Sequence, residues 1–101
     1  MGQVAIVEIG INTEGRLYVK PALSPTKDYA FIYRDATSVR WAADRRSLYV
    51  LSTLQAPATD DWRRIRAAVE REYGDRLILT PDTKCASIPA DIEQELRNAS
   101  E

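Results

Sequence analysis

The apolar positions of this chain change period near its middle. Up to residue 51 they come in short runs and alternations, the two-residue period of strands. From residue 60 they recur at three- and four-residue steps, the period of a helix. "QVAIVEI" (3–9) and "RLYV" (16–19) flank "NTEG". Asn12 suits the opening of a turn and Gly15 the left-handed position of a bulged hairpin, so these runs read as a first hairpin. Pro21 and Pro25 in "KPALSPTKD" mark an irregular crossing or an edge. "YAFIYR" (29–34) and "SVRWA" (38–42) read as a second hairpin around Asp35-Ala36-Thr37. A two-residue loop pairs Ile32 with Val39 and Ala30 with Trp41; a three-residue loop pairs Phe31 with Trp41 and Tyr33 with Val39. The three-residue register puts Tyr29, Phe31, Tyr33, Val39 and Trp41 on one face and Ile32, Arg34, Ser38 and Arg40 on the other. It separates apolar from polar better and is preferred. "SLYVL" (47–51) reads as a fifth antiparallel strand after the polar turn Asp44-Arg45-Arg46.

"STLQAPAT" leads into "DDWRRIRAAVEREYG" (60–74), where Trp62, Ile65, Val69 and Tyr73 fall within a stripe of about 80°. Burying such a stripe is worth on the order of 1.5–3 kcal/mol per side chain before entropy is charged. Thr59 or Asp60 suits the cap, Asp60 and Asp61 place negative charge at the positive helix end, and Gly74 suits the left-handed stop. "RLILT" (76–80) reads as a buried strand and "PDTKCAS" as a loop. "IPADIEQELRNAS" reads as a second, shorter helix with Ile88, Ile92 and Leu96 at four-residue steps and Pro89 in its first turn. The predicted fold is α+β. An antiparallel meander of about five strands packs on one long helix, followed by a sixth strand and a short C-terminal helix, all in a single domain over residues 1–101.

With 101 residues, 45% of them hydrophobic and 29% charged, the chain is long enough for one self-sufficient core. The net charge of −1 gives no global field toward polyanions. Residues 34–71 nevertheless carry eight arginines against five acids, and residues 72–101 three bases against seven acids. The arginine-rich helix does not explain that excess, because residues 60–73 hold four arginines and four acids. It reads as a core helix, not as a grip on phosphates. A basic grouping remains in Arg34 and Arg40, which share a sheet face in the preferred register, and in Arg45 and Arg46 of the next turn. Together with nearby aromatics these suit a sheet platform for single strands, or simply an outer face whose charges keep edges from sticking. A nucleic-acid partner is disfavoured by the overall balance. No stretch has the composition of a leader or an 18-residue apolar span, so the cytoplasm is expected and a membrane partner is not.

Histidine is absent, which removes the commonest general base, the usual zinc ligand and every Ser-His or Cys-His relay. The glycines are scattered and form no phosphate loop. One cysteine, Cys85, excludes an intrachain disulfide. Lys84 beside it and the helix that follows are the features of a reactive thiol, while its small size suits simple packing. No cofactor and no metal site are expected. Glu8 in "IVEIGI" is the odd residue, one acid inside an apolar strand. Pointed into a pocket it becomes a ligand contact or an acid/base; pointed at solvent it is plain alternation. Asp28, Asp35 and Asp82 sit where turns favour aspartate.

"YRDATSVRW" followed by "YGDRLILTPDT" resembles small bacterial α+β proteins of the kind carried on integron cassettes or beside toxin genes, over residues 29–96. The resemblance implies an accessory or partner-binding role, not catalysis, and carries no functional residues over. The leading expectation is therefore a non-catalytic protein-binding module that self-associates through Tyr18, Ile32 and Tyr49, the large apolar groups left over once the helix covers one sheet face. The alternatives are a small-ligand pocket or weak enzyme around Glu8, and nucleic-acid binding through Arg34, Arg40, Arg45 and Arg46.

Overall fold

The computed structural model describes residues 2–34, 38–51 and 58–99. The first hairpin forms as its turn chemistry requires, from β1 (Gly2–Ile11) and β2 (Leu17–Pro21). Asn12 Oδ1 accepts from the amides of Glu14 and Arg16, and Gly15 takes φ 79°. β1 carries one extra residue. Ile6 is opposite Pro21 and Glu8 opposite Lys20, so Val7 has no partner of its own and stands 47% exposed. This β-bulge switches the side-chain alternation. Val4 and Ile6 are buried before it, Ile9 after it, and Glu8 turns to the opposite face.

Residues 29–34 are not a strand, and the second hairpin expected there does not form; its loop, residues 35–37, lies outside the described residues. Asp28 Oδ1 accepts from the amide of Ala30, and the bonds Ile32 N–H to Tyr29 O and Arg34 N–H to Phe31 O close two tight turns. The second turn is a short 3₁₀ segment, Ile32–Arg34. Tyr29 and Ile32, three residues apart, both point inward at 0% exposure, while Phe31 and Tyr33 are 48% and 45% exposed. The three-residue repeat of buried groups, started by the aspartate turn, overrides the strand preference of the aromatics. β3 (Val39–Ala42) and β4 (Ser47–Val50) pair antiparallel as expected, with Trp41 opposite Leu48.

The helix α1 (Ala58–Tyr73) starts two residues before Asp60, so Thr59, Asp60 and Asp61 lie in its first turn; residues 52–57 of the expected linker lie outside the described residues. Trp62, Ile65 and Val69 are completely buried, Tyr73 packs against the same core, and Arg63, Arg64 and Arg71 are exposed. Gly74 stops the helix at φ 71° with its amide bonded to Glu70 O. β5 (Asp75–Ile78) follows at once, then β6 (Lys84–Ala86) in a stretch expected to be loop, then α2 (Ala90–Ala99), which buries Leu96.

The six strands form one sheet in the order β3-β4-β2-β1-β5, with β6 also paired to β1. It is mixed, which corrects the purely antiparallel meander. β5 and β6 run parallel to β1, along Gly2–Ala5 and Glu8–Gly10 respectively. The reason is the intervening helix. Sixteen residues of α1 carry the chain back along the sheet, so the next strand enters in the direction of β4 and of β1. Between β5 and β6 the edge of β1 is closed by Thr83, whose hydroxyl donates to Ile6 O at 2.6 Å. Arg97 of α2 donates to Thr80 O and Thr83 O and holds that turn in place. A buried polar group ties residues 27–29 to the start of β5: Asp75, 6% exposed, accepts from Lys27 Nζ at 2.5 Å and from Tyr29 OH at 3.0 Å.

Candidate functional site

Core packing takes one face of the sheet. Among the described residues no α-helix packs on the other face, and its residues follow from the strand register. Across it run Lys84, Glu8 and Lys20 in one row, and Ala86, Gly10, Tyr18, Tyr49 and Arg40 in the next. The bulge at Val7 is what adds Glu8 to this face. With unbroken alternation from Val4 and Ile6, Glu8 would point into the core.

Tyr18 lies across Gly10 and donates to Glu8 Oε2 at 2.5 Å. The position needs glycine. A Cβ on residue 10 would lie 2.7 Å from the Tyr18 hydroxyl and 2.5 Å from the carbonyl of Ala86. Gly10 thus allows the phenol to lie flat and reach its diagonal neighbour on β1. Burial, first, and then the hydrogen bond and negative charge of Glu8 push the Tyr18 phenol up to about 12, against a smaller opposing pull from Arg45. The phenol therefore stays protonated well past neutral pH and donates to Glu8, whose remaining lone pairs can accept from something else.

The pair forms one wall of an open cleft of about 700 Å³. Tyr49, Ser47 and Lys20 line it from the sheet, Asp44 and Arg45 from the β3–β4 turn, and Asn12, Glu14 and Arg16 from the β1–β2 turn. Three cations (Arg16, Lys20, Arg45) and three carboxylates (Glu8, Glu14, Asp44) surround the space, and Arg16 is paired with Glu14 at 3.4 Å.

Glu8, Tyr18 and Tyr49, picked out in the sequence for different reasons, are thus neighbours in one cleft. Ile32 is not with them. It is fully buried, because the tight turn at residues 29–34 points it into the core, and it cannot serve as an interface residue. The four arginines also separate. Arg45 lines the cleft. Arg46, in a left-handed backbone conformation at φ 48°, donates to Ser24 O and Lys27 O and lies 5.8 Å from the Trp41 ring, so it fastens the irregular 24–27 crossing and is no part of a platform. Arg34 lies over the exposed Phe31 ring at 4.4 Å, and Arg40 sits 6.0 Å from the Tyr33 ring. Cys85 faces the core side of β6. Burial, and then the carboxylate of Glu93, push its thiol up against the opposing effect of Arg97, which is the opposite of an activated thiolate. Sequence reasoning missed Gly10, whose role depends on which residue lies opposite it.

A family model described as Integron Cassette Protein Hfx_Cass5 matches residues 3–83, a span that contains Glu8, Gly10, Tyr18, Tyr49 and all three arginine–aromatic pairs. The solved structure of Integron Cassette Protein Hfx_Cass5, from the mobile metagenome of North West Arm Sewage Outfall, is similar at 30% identity. The match covers 99% of this chain and 97% of that chain, with a TM-score of 0.47. No curated protein matches.

Proposed function

The chain belongs to the Integron Cassette Protein Hfx_Cass5 family, and we propose that its outer cleft binds a small zwitterionic molecule without transforming it. The hydrogen-bonded Glu8–Tyr18 pair in the wall of a roughly 700 Å³ cleft carries this reading. A space of that size suits a metabolite-sized ligand, and balanced lining charge suits a ligand that bears both signs. Glu8 receives a cationic or N–H group, and Lys20 or Arg45 an anionic one. The pair is better suited to recognition than to proton transfer. A phenol held protonated to about pH 12 is a poor base near neutrality.

The test is a thermal-shift screen of the free amino acids and other small zwitterions. A ligand that raises Tm on wild type and loses most of that effect on Tyr18→Phe and Glu8→Gln supports the reading. A ligand that stabilises all three proteins equally, or product formation that depends on Glu8, overturns it. Self-association through the sheet face loses one of its three expected residues with the burial of Ile32, and the other two line the cleft.

A further inference from the structure

The outer face continues beyond the cleft, where aromatic and arginine residues lie along one line of cross-strand partners. Tyr18 is the cross-strand partner of Tyr49, and Tyr49 the partner of Arg40. Arg40 lies 6.0 Å from the ring of Tyr33. Tyr33 and Phe31 have ring centroids 6.3 Å apart, and Arg34 caps Phe31 at 4.4 Å. Four aromatic rings and two guanidinium groups therefore follow one another from the middle of the sheet to the 3₁₀ turn beyond its β3 edge. Phe31 and Tyr33 stand about half exposed, which is unusual for rings of that size. Lys20, Arg16, Arg45 and Lys84 flank the series on the same face.

We propose that this track binds single-stranded nucleic acid, with bases against the exposed rings and phosphates against the arginines and lysines. Rings at successive positions with cations between them match what a single strand presents: a flat face and a negative charge at every nucleotide. The local charge is suited to this even though the chain as a whole is slightly acidic. Among the described residues of the face, Lys20, Arg34, Arg45 and Lys84 outnumber Glu8 and Asp44 once Arg16 and Glu14 are set aside as an ion pair, and Glu8 sits under the Tyr18 phenol. The proposal goes beyond the small-ligand reading. It shares Tyr18 and Tyr49 with the cleft, but Phe31, Tyr33 and Arg34 are not among the residues lining it.

The experiment is fluorescence anisotropy with a labelled oligothymidylate of about 12 nucleotides, at low salt and then at rising salt. The expected result is saturable binding that weakens with salt, with a log–log slope of about −0.7 for each phosphate neutralised. The Phe31→Ala/Tyr33→Ala double variant should lose at least about tenfold in affinity, and Arg34→Ala should lessen the salt slope. All three side chains are exposed, so the variants keep the fold. Arg71→Ala, on the exposed side of α1, should bind as wild type. Three results overturn the proposal: no binding at low salt, equal loss in Arg71→Ala and the double variant, or binding of a poly-glutamate peptide in place of the oligonucleotide. The last identifies the track as a site for an acidic protein segment. Because the substituted residues lie outside the cleft, failure here leaves the zwitterion screen unaffected, and failure of that screen leaves this test intact.

Discussion

Tyr18 donates to Glu8, ten residues away in the chain, and lies across Gly10, and its ionisation reports on both. Its phenol is raised from 10 to about 12, and that of Tyr29, buried against Asp75, is raised further. A group whose folded pKa lies above its unfolded value contributes stability that is complete below the unfolded pKa and is lost as pH rises through the folded one. Stability should therefore fall between about pH 10 and 12, and Tyr18→Phe should show a shallower fall than wild type when Tm is followed from pH 8 to 12. Glu8→Gln should bring the Tyr18 ionisation closer to 10 in a spectrophotometric titration. Gly10→Ala should do the same, by displacing the ring from the carboxylate. Glu8 stood out in the sequence as a lone acid among apolar residues, but its direction did not. The clue was the parity break from Val4 and Ile6 to Ile9 and Ile11, which requires one extra residue between them. Gly10 left no such trace, because a glycine means little until its cross-strand neighbour is known.

At the scale of elements, α1 was legible because a 16-residue amphipathic pattern repeats often enough to define its period. Trp62→Ala should cost about 3–5 kcal/mol in urea unfolding, as expected for a fully buried large side chain. "YAFIYR" was misread because six residues fit both periods. Alternation counts three aromatics on one face; the three-residue repeat counts Tyr29 and Ile32. Denaturation separates the two readings. Ile32→Ala should cost about 2–5 kcal/mol, whereas Phe31→Ala should stay within about 0.5 kcal/mol of wild type; the strand reading requires the reverse. β6 was missed for a different reason. Three residues carry no period at all, and this strand exists because Thr83 and Arg97 place it beside β1.

Over the whole molecule, β1 is the strand that joins the early and late parts of the sheet. β1 is bonded on one edge to β2 and on the other to β5 and β6, which lie more than sixty residues along the chain. A chain ended at Gly74 would leave that second edge open and lose the Asp75 partner of Lys27 and Tyr29. It should show no cooperative unfolding transition by circular dichroism; a sharp transition near the wild-type Tm would contradict this assignment of β1. The mixed sheet belongs to this scale as well. A helix between two strands of one sheet is the arrangement that returns the chain for parallel pairing, and the strand–helix–strand order from residue 47 to residue 78 was already present in the sequence.

By itself the sequence determined the α+β class, the first turn, the inward stripes of both helices and the absence of histidine-based chemistry. These depend on side-chain type, local period and turn preference, which act within a few residues. Only the tertiary structure decided which way Glu8 points, that Tyr18 covers Gly10, that Ile32 is core and Phe31 surface, and that the four arginines divide among cleft, staple and track. Each of those depends on register between strands distant in sequence, where one inserted residue reverses a face, and no local preference encodes that register.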